Sequence, residues 1–339
     1  MKSLTSYIQE KLIIKKNKNT GYKYFPKTKE ELQDIIKQRI KQDGNECDLN
    51  DIDVSNIIDM SSLFKGTNFN GDISNWNVSN VTNMGSMFYG CTKFNQDISS
   101  WDVSNVTYMP CMFYQCIYFN QDISNWDISN VTDTNGMFFM CKSFNQDISN
   151  WDVYNVTNME FMFYECKSFN QDISKWNAPK VTNMEFMFYE CEQFNKDISK
   201  WDVSSVTNMY GMFYGCKSFN QDISKWDVSK VTDMSSMFFD CKSFNQNISA
   251  WDVSNVYDMR EMFSGCKSFN QNISAWDVYN VKYMSYMFHR CEQFNQDISS
   301  WDVSNVQTKD KMFNDCPIEE KYKPKFKCNH LKVIYKKNL

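Results

Sequence analysis

Cysteine is the first residue type in this sequence whose abundance and spacing suggest chemistry. Ten of the thirteen cysteines recur every 25 residues, from Cys91 and Cys116 through to Cys316. A zinc site usually needs closely spaced cysteine pairs, such as Cys-x-x-Cys, or histidines beside them. The sequence has no such pair, and its two histidines are His289 and His330. We therefore predict that the recurring cysteines are small buried apolar side chains in a reduced compartment, with no metal and no cofactor.

Aspartate recurs with the same period in two columns, a column being the residues at one place in successive 25-residue units. One column holds Asp97, Asp122, Asp147, Asp172, Asp197 and Asp222, and the other holds Asp102, Asp127, Asp152, Asp202 and Asp227. Carboxylates stacked about 5 Å apart repel one another. They need either a row of cations, such as Ca²⁺, or backbone N–H groups that donate to each Asp at a corner of the chain. Asparagine replaces aspartate at Asn77, Asn177, Asn247 and Asn272, which favours the corner interpretation.

Function is expected in the columns that vary while the others stay constant. Lysine precedes the recurring Trp in three successive units, and Tyr replaces Ser three residues after the Trp in two units. The candidate binding residues are therefore Lys175, Lys200, Lys225, Tyr154 and Tyr279, together with Asp102, Asp127, Asp152, Asp202 and Asp227. The lysines either neutralise neighbouring aspartates or anchor an anionic patch on a partner.

A further aromatic column leaves two interpretations open. It consists of Tyr89, Tyr114, Phe139, Tyr164, Tyr189, Tyr214 and Phe239. These rings either pack between successive units or form an exposed strip for contact with a partner.

The element that must position all these residues is a 25-residue repeat. The ten tryptophans lie on one grid, from Trp76 to Trp301, and the unit is W-D-V-S-N-V-T-N-M-x-x-M-F-x-x-C-x-x-F-N-Q-D-I-S-x. We number the positions of each unit from its Trp, which is position 1. A weaker unit with Ile52 at position 1 precedes the others, giving about eleven coils. One such unit cannot bury its apolar face alone, so the coils must stack around a continuous core.

Two hydrophobic periods within each coil predict two short elements. Val81, Met84, Met87, Phe88 and Cys91 have the spacing of one apolar helix face. Position 1 and position 3, Trp and Val, are two residues apart, as on one face of a strand. The expected fold is therefore an α/β repeat solenoid with a short strand near Trp-Asp-Val and a short helix near Met-x-x-Met-Phe.

The two ends of the chain differ from the repeat and are predicted to be caps. Residues 1–46 form an N-terminal segment in which Thr28 and Glu31 can start a capping helix over 28–43. The solenoid occupies 47–317. Residues 318–339 form a basic C-terminal cap, in which Leu331, Val333 and Tyr335 alternate as on one face of a strand.

Charge and composition exclude several functional classes. The net charge is −5, with basic ends and an acidic middle, which argues against nucleic acid as the main partner. No apolar run approaches the length of about 18 residues that a membrane span needs. The N-terminus has no secretory signal, so we expect a cytoplasmic or virion-associated protein. The sequence has no phosphate-binding glycine loop and no His-based catalytic motif, so we predict that it is not an enzyme.

The repeat also resembles a known family. The runs Met-Phe-x-x-Cys-x-x-Phe and Phe-Asn-Gln-Asp-Ile-Ser-x-Trp-Asp-Val-Ser-Asn-Val-Thr-Asn-Met are similar to the BspA-like class of leucine-rich repeat and to bacterial surface-protein repeats of mycoplasma, Listeria, Bacteroides and viral proteins. The resemblance covers about 52–318. It implies a right-handed solenoid with a binding or adhesion role and no known ligand.

The favoured function is therefore a non-catalytic protein-interaction scaffold that binds a partner on one solenoid face. Two alternatives stay open. The first ten residues, Met1–Glu10, are similar to short peptides that direct some phage proteins into capsids, so the chain could be a structural or packaged component of a virus particle. A cation-dependent adhesion module is the other alternative. The identity of the partner and the oligomeric state are left open.

Overall fold

The computed structural model describes residues 21–326. Within this range, one α-helix, α1 (Lys29–Asp43), precedes the coils, and a 3₁₀ turn (Glu320–Tyr322) follows them. The described range contains no extended strand. Instead, the coils are joined by isolated parallel β-bridges, one per coil. No helix in this part of the chain is long and apolar enough to cross a membrane.

Helix α1 is the predicted N-terminal helix, and it packs on the first coil. Thr28 accepts the N–H of Glu31 through its hydroxyl, and the chain leaves the helix at Gly44 with a φ of 85°. Its buried residues belong to the same core as Ile52 and the later coils. The segment boundaries at 46 and 317 stay predictions. The proposed tail strand at Leu331–Tyr335 and the capsid-like peptide at Met1–Glu10 lie outside the described residues.

Position 8 carries the bridge that joins each coil to the next. The bridged residues are Asp59, Asn83, Tyr108, Asp133, Asn158, Asn183, Asn208, Asp233, Asp258, Tyr283 and Thr308. Eleven positions in one register correspond to eleven coils, which supports the predicted solenoid. The strand expected around Trp-Asp-Val is not confirmed, because positions 1 to 3 have no regular secondary structure. The right-handed sense of the stack stays a prediction.

The short helix expected in each coil is not confirmed either, because this stretch is a run of turns. Positions 11 and 15 have positive φ in every coil, as at Ser86 (57°) and Gln115 (60°). A right-handed helix needs φ near −60°. The N–H of Met87 donates to Met84 within the coil, whereas the N–H of Phe88 donates to Met112 of the next coil at 2.9 Å. The apolar spacing of 3, 3, 1 and 3 suits both a helix and a series of turns. Of these two conformations, only the turns leave backbone N–H groups free to donate to the next coil.

The core consists of side-chain ladders that run along the whole stack. Every tryptophan is buried, with 3–8% of its surface exposed. From Trp101 onward the indole N–H donates to the carbonyl of the Ile that lies 28 residues earlier, as in Trp126 to Ile98 (3.2 Å), and Trp76 donates to Leu49. Each fully buried cysteine likewise donates its S–H to a carbonyl of the preceding coil, as in Cys116 to Phe88. The predicted burial is confirmed for the Trp column and for the cysteines from Cys91 to Cys291, whereas Cys316 in the last coil is partly buried. Burial raises the pKa of Cys91 to about 11, so its thiol stays protonated at neutral pH.

Asparagine at position 20 forms a continuous hydrogen-bond ladder at one corner. Each Oδ1 accepts the backbone N–H of the Asn at the same position in the next coil, over distances of 2.8–3.1 Å from Asn70 to Asn295. Glu319 continues the ladder by donating its N–H to Asn295. This corner therefore satisfies backbone groups that the turns leave without a partner.

Removing one rung of this ladder should destabilise the stack. In Asn145→Ala, the N–H of Asn170, which donates to Asn145 at 2.9 Å, loses its acceptor, and an unsatisfied donor costs about 1–3 kcal/mol. The change is measured as the shift of the urea midpoint. Asn125→Ala is the matched control, because Asn125 is exposed and the equivalent positions in other coils are Ala250 and Ala275. Equal midpoints for the two variants would show that the ladder contributes nothing.

Candidate functional site

The aspartates at positions 2 and 22 are corner residues. Asp97 accepts the backbone N–H of Ser99 at 2.9 Å, and Asp102 accepts that of Ser104 at 3.1 Å. Asparagine does the same, as Asn247 accepts the N–H of Ser249 at 3.0 Å. One side-chain oxygen that caps a turn is all this geometry needs, so Asp and Asn interchange. The hydrogen bonds that the corner interpretation requires are present. Whether Asp102 and its column also bind a partner stays a prediction.

The three candidate lysines are exposed in successive coils on the face formed by positions 22 to 5. They have no ion pair with a residue in 21–326. Their charges act on position-22 aspartates, whereas the cation that acts on Asp227 is Lys230. Lys175 helps to lower the pKa of Asp172, after the hydrogen bonds from Ser174. The lysine charges therefore face solvent.

The two candidate tyrosines lie on the same face but far from each other. Tyr154 and Tyr279 are 49% and 50% exposed and are five coils apart. The ammonium of Lys180 lies 5.0 Å from the Tyr154 ring centre. Lys180 also donates to Asn155 at 2.7 Å. Tyr154 and the lysine column thus belong to the middle coils of the face, and Tyr279 lies in a later coil.

The aromatic column at position 14 packs between coils. Its seven rings stack almost parallel, with centroids 4.2–4.5 Å apart. Lys65 closes one end of the stack, with its ammonium 4.7 Å from the Tyr89 ring centre. Because each ring face contacts the next ring, only the ring edges reach solvent. This favours the packing interpretation and leaves the edges as a possible contact strip.

A cleft of about 290 Å³ opens beside position 8, lined by residues that were not among the candidates from the sequence. It is lined by Tyr210, Asp233, Ser235, Ser236, Arg260 and Glu261. The signal was present in the sequence, because the bulky Phe161 and Phe186 at position 11 are followed by Gly211 and Ser236. The size contrast predicts a cleft only if positions 10 and 11 of successive coils lie side by side at the surface, which the sequence does not show.

Of the charged groups in and beneath the cleft, Arg260 and Asp258 form an ion pair, whereas Asp233 and Glu261 have no ion pair with a residue in 21–326. Asp258 is 1% exposed, and its carboxylate accepts Arg260 Nε through both oxygens, at 3.0 and 2.9 Å. The Arg260 guanidinium lies 5.3 Å from the centre of the Tyr283 ring. Burial raises the pKa of Asp233, and the nearby charge of Asp258 adds to the effect. Asp233 is thus a partly desolvated acid whose hydrogen bonds come from Ser235.

A family model described as "Mycoplasma protein of unknown function, DUF285" matches the chain three times, over residues 31–146, 118–225 and 207–324. The chain belongs to the DUF285 family. The resemblance inferred from the repeat motif is thereby confirmed.

Two solved structures match this DUF285 chain with low sequence identity and low TM-scores. A leucine-rich repeat protein from Eubacterium ventriosum ATCC 27560 is 14% identical over 78% of this chain and 82% of that chain, with a TM-score of 0.37. A TLR13–ssRNA13 complex is 9% identical over 84% of this chain and 51% of that chain, with a TM-score of 0.23. A comparison with curated proteins gives no match.

The corner aspartates predict how the stability of the DUF285 chain depends on pH. Hydrogen bonds from the serine two residues later hold the pKa of Asp147, Asp172, Asp197 and Asp222 below its ordinary value. A lowered native pKa stabilises the fold above the unfolded pKa, near 4, and that contribution is lost as pH falls further. Replacing all four with Asn should therefore reduce the loss of urea stability between pH 7 and pH 3. An unchanged loss would show that other acids control it.

The same geometry predicts that the Asp columns need no cation. No group of three or more His, Cys, Asp or Glu residues within 21–326 is arranged to hold a metal ion. Tightly bound ions would raise the melting temperature by roughly 10 °C through mass action. We expect EDTA to shift it by at most about 2 °C. A larger fall that Ca²⁺ reverses would contradict the corner interpretation.

Proposed function

We propose that this DUF285 protein is a non-catalytic scaffold that binds a protein partner on the face formed by positions 22 to 5. The observation that supports the proposal is that the constant columns form the hydrogen bonds of the fold, whereas the variable columns are exposed. The polar groups of the constant columns are used by the fold, because Trp, Cys and Asn bond to neighbouring coils and Asp caps its own turn. The larger side chains at positions 25 and 4 are exposed and available to a partner, namely Lys175, Lys200, Lys225, Tyr154 and Tyr279.

The same difference between columns argues against catalysis. An enzyme needs a nucleophile or base held within hydrogen-bond reach of a partner in an open site. The cysteines of the repeat are buried, and burial raises the pKa of Cys166 and Cys191 well above the ordinary value. Asp97 and Asp197 have lowered pKa values because they accept turn N–H groups. Both residue types are thus committed to the frame.

Lys175, Lys200 and Lys225 supply the charge that would steer a partner. They form a row of ammonium groups with no ion pair among residues 21–326, on the face that also has the exposed ring of Tyr154, and Tyr is a common energetic centre of protein interfaces. Long-range attraction mainly raises the association rate. The partner surface expected here is anionic.

Replacing the three lysines tests this proposal. With a partner recovered from the source organism, Lys175→Ala, Lys200→Ala and Lys225→Ala together should lower the association rate several-fold at low salt and flatten its salt dependence, as expected for steering. Surface plasmon resonance on the full chain measures both quantities. Stability should barely change, because exposed pairs contribute at most about 1 kcal/mol.

The matched control replaces three lysines of another face. Lys142, Lys217 and Lys242 at position 17 pair with Glu165, Glu192 and Asp240. Their triple Ala variant changes net charge equally and should leave association nearly unchanged. If both triple variants behave as the wild type, the position-25 lysines only neutralise the surface, and the partner binds elsewhere, with the position-14 ring edges the next surface to test.

A further inference from the structure

The cleft beside Ser235 and Ser236 exists because small residues lie between large ones. These two serines are 5% and 6% exposed and form its floor. Tyr210 of the coil before forms one wall, and its ring is held 4.4 Å from that of Phe186. Phe186 itself extends over Gly211, where any Cβ would meet the Phe186 ring at 2.3 Å. Arg260 and Glu261 of the coil after form the other wall.

The charge left available in this cleft is negative. Arg260 is engaged by Asp258, so its positive charge is already offset. Asp233 and Glu261 have no ion pair with any residue in 21–326. Each instead accepts a serine hydroxyl, from Ser235 at 2.6 Å and from Ser236 at 3.2 Å. Since the serine protons are used in this way, their free lone pairs and the carboxylates together offer acceptors to a ligand.

We infer that this cleft binds the guanidinium or ammonium group of a basic peptide side chain, between Asp233 and Glu261 and against the ring of Tyr210. Charge-assisted hydrogen bonds to two carboxylates suit a cation with several N–H donors. An aromatic wall adds a cation–π contribution when the site is partly desolvated.

The volume and donor set favour this ligand over others. At about 290 Å³, the cleft lies near the lower limit of small-molecule pockets, about 300 Å³, and suits one side chain. A calcium ion prefers six to eight oxygen ligands, with no use for an aromatic wall. The cleft lies on positions 8 to 11, away from the lysine face, so the inference does not depend on the proposed scaffold face.

Electrostatics of the cleft explain why a cation would be drawn to it. Asp233 lies near Asp258 and Glu261 near Tyr210, whose own pKa is raised by burial and by the charges of Glu185, Glu261 and Asp233. The three carboxylates oppose the ionisation of Tyr210, and Arg260 offsets them only in part. The potential around the Tyr210 hydroxyl is therefore negative. A peptide cation would relieve this crowding, whereas an anion would add to it.

The test uses a fluorescein-labelled tetra-arginine peptide and the full chain at about 0.1 M salt, followed by fluorescence anisotropy. The double variant Asp233→Asn, Glu261→Gln should weaken binding about tenfold, the effect of losing one charged hydrogen bond. The control Asp97→Asn, Asp122→Asn makes the same charge change at the position-22 column, where Asn247 and Asn272 occur naturally. With the assay run at about 0.1 M salt, it should change affinity less than about twofold, since exposed charges more than about 10 Å away are largely screened at that ionic strength.

A second variant blocks the cleft without altering charge. Ser236→Phe places at position 11 the residue found at Phe161 and Phe186, whose φ values of 56° and 51° match the 52° of Ser236. It should weaken peptide binding as strongly as the double variant while the melting temperature shows that the chain is folded. Equal loss in the Asp97/Asp122 control would overturn the inference, because binding would then belong to the acidic body as a whole. Spermidine that competes as tightly as the peptide, with the same sensitivity to Ser236→Phe, would overturn the assignment to a peptide.

Discussion

Backbone hydrogen bonds that pass from each coil to the next are the interaction on which this structure depends. In the turn region, the N–H groups of positions 9, 11, 13 and 15 donate to the following coil, as Met84, Ser86, Phe88 and Gly90 donate to residues of the next unit. A helix would use these donors inside one coil and leave neighbouring coils joined only by apolar contact. Positive φ at positions 11 and 15 turns the donors outward. The strained conformation therefore makes the stack continuous.

The side-chain ladders supply hydrogen-bond partners for backbone groups that the bonds between turns do not reach. At corners where no bridge forms, Asn95 accepts the N–H of Asn120, and the indole of Trp151 donates to Ile123. All buried side-chain nitrogen and oxygen atoms in the described range have a hydrogen-bond partner. Each coil thus depends on its neighbours for both apolar burial and polar satisfaction. An exchange of a side chain in an outward column leaves these bonds intact, which is why the surface can differ from coil to coil.

The repeat predicted some features well because they follow from spacing alone. A Trp and a Cys that return every 25 residues on an apolar face must lie inside the stack, and an Asp that alternates with Asn must accept a hydrogen bond that both can accept. The choice between a helix and turns could not be made in this way, since Met84, Met87 and Cys91 have a spacing that a series of three-residue turns also produces. The cleft depends on a size contrast among Tyr210, Ser236 and Glu261 in three coils. That contrast has meaning only once position 11 is known to face the surface.

Position 11 also shows where the chain accepts a conformational cost for its side chains. Left-handed backbone costs roughly 1–2 kcal/mol for a residue with a Cβ and almost nothing for glycine. Gly136 and Gly211 occupy the position in two coils, yet the others have Ser, Cys, Phe, Glu, Tyr or Lys at positive φ. Side chains here must offset that cost by what they contact. Phe186 does so by packing on Tyr210 at 4.4 Å, and Glu261 does so in part by accepting Ser236. A column whose backbone conformation favours glycine thus shapes the surface of the middle coils.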